Sequence, residues 1–299
     1  MLEVKNLTKH YGEIKAVENL SFTVYPGKIF GLLGPNGAGK STTIKSIINV
    51  IKPTEGQILF DGKPINYQYL NRIGYLPEER GLYKKSKVID VICYLASLKN
   101  IPKDEIITRA NLWLEKLGIA DLKNRRVEEL SKGNQQKIQF ICSVIHNPDL
   151  LILDEPFSGF DPINQQEIKN FILDFLDEGK SIILSTHQMD TAEKLCSEIL
   201  LLNKGKSVLQ GSLQEIKKNF GGNHIRVSLI GDTNFLDSLD EVISYEVYSN
   251  FIEIHLANNI SPSNFLKKLV EKTSIEHFLI IEPTLHKIFI DTIKNEKSK

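Results

Sequence analysis

The stretch Gly34-Pro35-Asn36-Gly37-Ala38-Gly39-Lys40-Ser41 constrains this chain more than any other. It has the spacing G-x-x-x-x-G-K-[ST] and lies between an apolar run, residues 27–33, and a helical pattern beginning near Lys40. Glycines let a backbone turn tightly and bring several N–H groups to one anion. The helix that follows aims its positive end at the same point. In such a loop the lysine reaches the outer phosphates of a nucleotide and the hydroxyl holds Mg²⁺. Gly34, Pro35, Asn36, Gly37, Ala38, Gly39, Lys40, Ser41 and Thr42 are therefore candidate nucleotide-binding residues, with Ser41 a metal ligand. A ligand-free glycine turn explains the glycines but not the strand before and the helix after.

A loop of this kind needs a parallel sheet around it. The first 210 residues supply one, because strand and helix patterns alternate along them. Residues 2–5, 20–24 and 56–62 read as strands, and so do the buried-type runs Leu150–Leu153 and Ser181–Ser185. From about residue 86 to 146 the β pattern gives way to an all-helical insertion, with Val91, Ile92, Leu95 and Leu98 on one face. After Gly211 the texture changes. Strands at 224–230, 242–248, 251–257 and 275–281, helices at 232–239 and 261–272, and a last helix from Pro283 give the order β-α-β-β-α-β. That order predicts a small ferredoxin-like α+β domain at 213–299 beside a larger domain at 1–212. The tail from Asn295 to Lys299 reads as disordered.

Composition narrows the function classes. Lys+Arg and Asp+Glu both number 37, which argues against a broad electrostatic footprint for nucleic acid. No apolar run approaches the length of a membrane span, and the first residues, MLEVKNLTKHYG, lack the apolar core of a signal peptide. Cys93, Cys142 and Cys196 form no metal or disulfide spacing and read as apolar filler in a reducing compartment.

Phosphoryl transfer needs a metal carboxylate and a group that orients water. Asp154-Glu155 closes the apolar strand Leu150–Leu153, where a buried sheet delivers side chains to the crevice at its carboxyl end. Asp154 is the candidate Mg²⁺ ligand and Glu155 the candidate base. A lone Asp-Glu pair after a strand is ordinarily a solvated turn; the apolar strand and the phosphate loop reverse that reading. His187 follows the run 181–185 and is a candidate γ-phosphate contact, although a lone histidine at a strand end is more often structural.

Taken in order, Gly34–Ser41, Leu130-Ser131-Lys132-Gly133-Asn134-Gln135-Gln136-Lys137, Leu150–Pro156, Ser158-Gly159-Phe160-Asp161 and His187 resemble the nucleotide-binding domain of an ABC transporter over residues 1 to about 210. The resemblance implies a P-loop NTPase core with an antiparallel β subdomain and a helical insertion, and ATP with Mg²⁺ as cofactors. It implies a homodimer in the ATP-bound state, with Ser131 and Gly133 of one copy facing the γ-phosphate held by the other. It also implies that Tyr11 stacks on adenine, that Asp161 links the two sites, and that Ile73–Glu78 joins the core to the insertion. Two departures stand out: Lys132 and Asn134 replace the Gly and Gln of the common signature, and Glu78 stands where the family usually has glutamine. Glu78 is thus a candidate metal ligand that adds charge near the triphosphate.

The segment Pro77–Tyr83 and the added C-terminal domain further resemble the NatA-like ATPase subunits of two-component bacterial exporters. That implies an ATPase driving a separately encoded integral membrane permease, cytoplasmic and peripheral on the inner face of the cell membrane, with residues near 79–100 receiving the permease. Two rival readings are a soluble ABC ATPase acting on ribosomes or DNA, and a regulatory module that holds ATP without hydrolysing it.

Overall fold

The computed structural model describes residues 1–79, 81–221, 223–257 and 260–297. Arg80, part of the exporter-like segment, lies outside the described residues, as do Ser298 and Lys299 of the tail. The chain separates into two compact units, Met1–Gln210 and Gly211–Lys299.

The first unit opens with strands β1 (Leu2–Tyr11), β2 (Ile14–Val24) and β3 (Ile29–Leu33), then helix α1 (Lys40–Ile47). Strands β4 (Glu55–Phe60) and β5 (Lys63–Pro64), the single turn α2 (Tyr67–Leu70) and strand β6 (Ile73–Leu76) follow. Helices α3 (Val88–Ser97), α4 (Lys103–Lys116) and α5 (Lys132–Val144) form the helical stretch. The unit continues with β7 (Leu150–Asp154), α6 (Pro162–Asp177), β8 (Ser181–Thr186), α7 (Met189–Leu195), β9 (Glu198–Asn203) and β10 (Lys206–Ser212).

Two sheets share one core. An antiparallel sheet has the order β2-β1-β4-β5, and a six-stranded sheet the order β10-β9-β3-β8-β7-β6. In the larger sheet β9, β3, β8, β7 and β6 pair in parallel. Every position of β3, β7 and β8 is buried, as expected of a parallel sheet covered on both faces. Phe22 of β2 stacks on Phe30 of β3 with centroids 4.9 Å apart, and Ile44 and Ile47 of α1 join the same apolar cluster. Each Leu or Ile fully buried there contributes roughly 1.5–3 kcal/mol.

Three expectations are corrected. Strand β1 runs on to Tyr11 and β2 begins at Ile14, because the strands continue through register shifts that break the alternation of side chains. Residues Ile73–Leu76, expected as part of a joining loop, form the edge strand β6 paired to β7. The tail expected to be disordered from Asn295 continues as helix to Lys297.

The second unit holds α8 (Leu213–Phe220), β11 (His224–Ile230), β12 (Val242–Val247), β13 (Ile252–Leu256), α9 (Pro262–Lys272), β14 (Ser274–Ile281) and α10 (Leu285–Lys297). A 3₁₀ turn, Asn234–Ser238, stands where the sequence predicts the first helix. The sheet order β12-β13-β11-β14, with antiparallel pairs, is the order of a ferredoxin-like sheet. Its core face carries Ile225, Val227, Ile252, Ile254 and Leu256, packed with Phe265 and Leu269 of α9.

Candidate functional site

Parallel pairing assembles the site. Leu33 pairs with Thr186, Asp154 with Ser185, and Leu76 with Leu153. The segments that follow β3, β8, β7 and β6 therefore leave the sheet at one end, where Glu78, Asp154, Glu155 and the phosphate loop line a single crevice. A cleft of about 280 Å³ at that end is lined by Ala16, Asn36 to Thr42, Glu78, Asp154 and Glu155.

Gly34 and Gly39 show why the loop needs glycine. Both have positive φ, 146° and 108°. A Cβ on Gly34 would lie 2.3 Å from the Leu202 carbonyl oxygen, and one on Gly39 would lie 2.7 Å from that of Ala16. The loop is wedged against β9 and β2, so its N–H groups can close around an anion. No side chain caps the N-terminus of α1, which leaves that end of the helix open to an anionic ligand. Lys40 is 6% exposed, and its Nζ donates to the carbonyls of Gly34 at 2.7 Å and Pro35 at 3.2 Å. Burial lowers its pKa, while Glu155, Asp154 and Glu78 oppose that shift.

Asp154 and Glu155 are both buried. The Ser185 hydroxyl donates to Asp154 at 2.7 Å. Burial raises the Asp154 pKa above its ordinary value; the Ser185 bond and Lys40 oppose this, and Glu78 and Glu155 add to it. Glu155 has φ 48°, a left-handed backbone that turns its carboxylate back toward β8. There it accepts from the Thr186 hydroxyl at 2.9 Å, from the His187 amide at 2.9 Å, and meets His187 Nδ1 at 2.6 Å. Sequence reading did not single out Ser185 and Thr186, although the polar Ser-Thr-His end of an otherwise apolar strand was the signal.

The other candidates lie elsewhere. Gly34 and Pro35 do not line the cleft; they hold Lys40 through their carbonyls. His187 reaches the site through Glu155. Tyr11 ends β1 and is 48% exposed, with Lys9 Nζ 5.2 Å from its ring. The Ser131 hydroxyl caps α5, accepting from the Asn134 amide at 3.3 Å. Gly133 sits in the first turn of α5, where a Cβ would meet only ordinary contacts, Asn164 at 3.6 Å and Phe160 at 3.7 Å. Asp161 caps α6 through the amides of Ile163 and Asn164. None of Tyr11, Ser131, Gly133 and Asp161 lines the cleft.

A second, mostly apolar groove of about 290 Å³ is lined by Pro77, Gly81, Leu82, Leu95 and Leu98 among others. The Gln139 amide of α5 donates to the Pro77 and Glu79 carbonyls, pinning the segment after β6 to the helical stretch.

Comparison with known proteins decides the family. The chain is 44% identical to the ABC transporter ATP-binding protein YhaQ of Bacillus subtilis over 98% of both chains. This protein belongs to the ABC transporter ATP-binding subunits. The ABC transporter family model matches residues 17–158, and the model of the DrrA1-3-like ATP-binding protein C-terminal domain matches residues 211–293. The lantibiotic transport ATP-binding protein SrtF of Streptococcus pyogenes is 35% identical over 70% of this chain and 90% of its own. A solved ATP-binding subunit of an ABC transporter superposes with a TM-score of 0.69 at 31% identity, over 74% of this chain and 93% of that one. The ABC ATPase fold and its P-loop core are thus established for this chain. Among the described residues no helix is long and apolar enough to cross a membrane.

Proposed function

We propose that residues 1–212 bind and hydrolyse ATP and that residues 213–299 form an accessory domain. The observation that carries hydrolysis is the Glu155 carboxylate, buried at the cleft and held by Thr186 and His187 beside Lys40 and Asp154. That arrangement orients a base toward the mouth of a phosphate loop.

The residues fit Mg-ATP. Gly34 and Gly39 let the loop pack against the Leu202 and Ala16 carbonyls, the uncapped end of α1 opens on the cleft, and carboxylates stand beside a lysine. The loop amides of 36–42 and Lys40 hold the phosphates, with Gly34 and Pro35 shaping the loop behind them, and Tyr11 stacks on the base. Ser41, Asp154 and Glu78 hold Mg²⁺, which supplies charge neutralisation for the phosphate oxygens. Lys40 must leave the Gly34 and Pro35 carbonyls to meet phosphate. Glu155 accepts the proton of the attacking water, and His187, anchored on Glu155, contacts the γ-phosphate.

Ser131 and Gly133 act on the nucleotide of a second copy, since they stand apart from the chain's own cleft and Gly133 answers no packing need. The resulting head-to-tail homodimer opens on hydrolysis and drives an integral membrane permease. The groove between the segment after β6 and α3 receives the permease. The protein works peripherally on the cytoplasmic face of the membrane, and no nucleic acid is involved. Likeness to SrtF and to the NatA-like pattern favours an exporter.

Glu155→Gln tests the reading. It should preserve ATP binding, cut phosphate release by roughly 10²–10⁴-fold, and accumulate an ATP-dependent dimer on gel filtration. Turnover at the wild-type rate would remove Glu155 from the base role.

A further inference from the structure

The second unit contains a cavity that the ATPase reading leaves unused. Its size, about 800 Å³, suits a small organic molecule. It lies against the sheet face opposite α9, where the alternation of β11 and β13 places His224 and His255. These two residues are register partners on adjacent strands, and their rings stack with centroids 4.1 Å apart at 14°. Neither ring makes a hydrogen bond among the described residues.

The charges around the pair set the class of ligand. Glu246 of β12 and Lys287 and Asp291 of α10 line the same cavity, and Glu253 lines a smaller recess that shares the histidine wall. Lys287 Nζ donates to Glu246 at 2.6 Å, so these two neutralise each other. Asp291 makes no ion pair among the described residues and stands close enough to His255 to act on it electrostatically. Burial pushes His224 down to about 4 and lowers His255 as well, so both rings hold a proton less readily than a free imidazole. The cavity lining thus carries two carboxylates, Glu246 and Asp291, against one ammonium, Lys287. Two aromatic faces and several acceptors accompany them. Phe220, Ile243, Pro283 and Ile288 supply the apolar remainder of the wall.

We infer that this cavity binds an organic monocation with an apolar body, its ammonium group on Asp291 and its chain against Phe220 and Ile288. A charge-assisted hydrogen bond to the carboxylate and a cation over the imidazole ring act together at such a site. An organic anion meets a carboxylate instead, and the one available ammonium, Lys287, is already engaged. The cavity shares no lining residue with the nucleotide cleft, so binding at each can be read by its own signal.

The test uses the full-length chain titrated with n-hexylammonium, n-hexanoate and n-hexanol, followed by calorimetry and by the ring resonances of His224 and His255. Hexylammonium should saturate with one site per chain and shift both rings, whereas hexanoate should not. Asp291→Asn should weaken hexylammonium by about tenfold, the loss of one charge-assisted contact, with the ligand-free ring resonances of His224 and His255 retained as the control for folding of the second unit. His255→Phe, which keeps the stack but removes the acceptors, should weaken it less. Equal binding of hexanoate, absence of any hexylammonium site, or full affinity in Asp291→Asn would each overturn the assignment.

Discussion

Two glycine-bearing segments of the first unit make a useful contrast. In the P-loop, Gly34 and Gly39 are forced by the chain itself: positive φ and carbonyl oxygens within 2.7 Å of any Cβ leave no room for another residue. In the signature segment, Gly133 is helical with ordinary clearances around it, yet it costs α5 the propensity an alanine would bring. One glycine serves the fold and its ligand together. The other is unexplained by packing inside one copy of the chain, which is why we assign it to the nucleotide of a second copy.

Substitution should separate the two. Gly34→Ala should destabilise the protein by roughly 3 kcal/mol or more, through backbone strain and overpacking. Gly133→Ala should leave the melting temperature unchanged or slightly raised, since alanine gains about 0.5–1 kcal/mol in a helix. Its damage should fall on ATP-driven dimerisation and phosphate release instead. If Gly133→Ala melts as early as Gly34→Ala, the contrast fails.

The buried carboxylates Asp154 and Glu155 sharpen the same comparison, because they line the P-loop cleft. The folded-state pKa of Asp154 stands above its ordinary 3.8. Between those two values the folded chain binds more protons than the unfolded one, so stability falls as pH rises through that window. The penalty, set first by burial and increased by Glu78 and Glu155, then persists above that window. Asp154→Asn should therefore raise the melting temperature of the nucleotide-free protein, by roughly 2–4 °C for each kcal/mol of repulsion relieved. It should also abolish Mg²⁺-dependent turnover. A lower melting temperature would show that the carboxylate stabilises the site without metal.

Glu78 predicts the smallest effect. Its charge acts on both Lys40 and Asp154. Glu78→Gln should tighten ATP binding more in the absence of Mg²⁺ than in its presence, because a divalent ion offsets the repulsion. Turnover should stay measurable. Equal affinities for variant and wild type under both conditions would place the Glu78 carboxylate outside the nucleotide's reach.

The parallel core was legible because buried strands are continuous apolar runs: Leu150–Leu153 and Ile182–Leu184 announce themselves without any periodicity. The antiparallel sheet was legible only in part. Asn6 and Asn19 take positive φ where β1 and β2 depart from regular pairing, and alternation fails on either side. Strand β6 hid because four residues containing a glycine carry little pattern. At the site, Asp154 and Glu155 could be read from a strand end, but the hydroxyls of Ser185 and Thr186 that fix them come from the neighbouring strand. Their partnership depends on register, which one sequence does not spell out.

The central claim is that each ATP site is built from the P-loop of one copy and the signature segment of another. Mixing two inactive variants, Lys40→Ala and Gly133→Asp, tests it most directly. Each alone leaves every site defective, whereas a mixed dimer pairs one intact P-loop with one intact signature. Phosphate release by an equimolar mixture should recover to roughly a quarter of the wild-type rate if the copies exchange freely and the sites act independently. A mixture whose rate stays at the average of the two variants, with mixed dimers verified by differential tagging, would contradict the account.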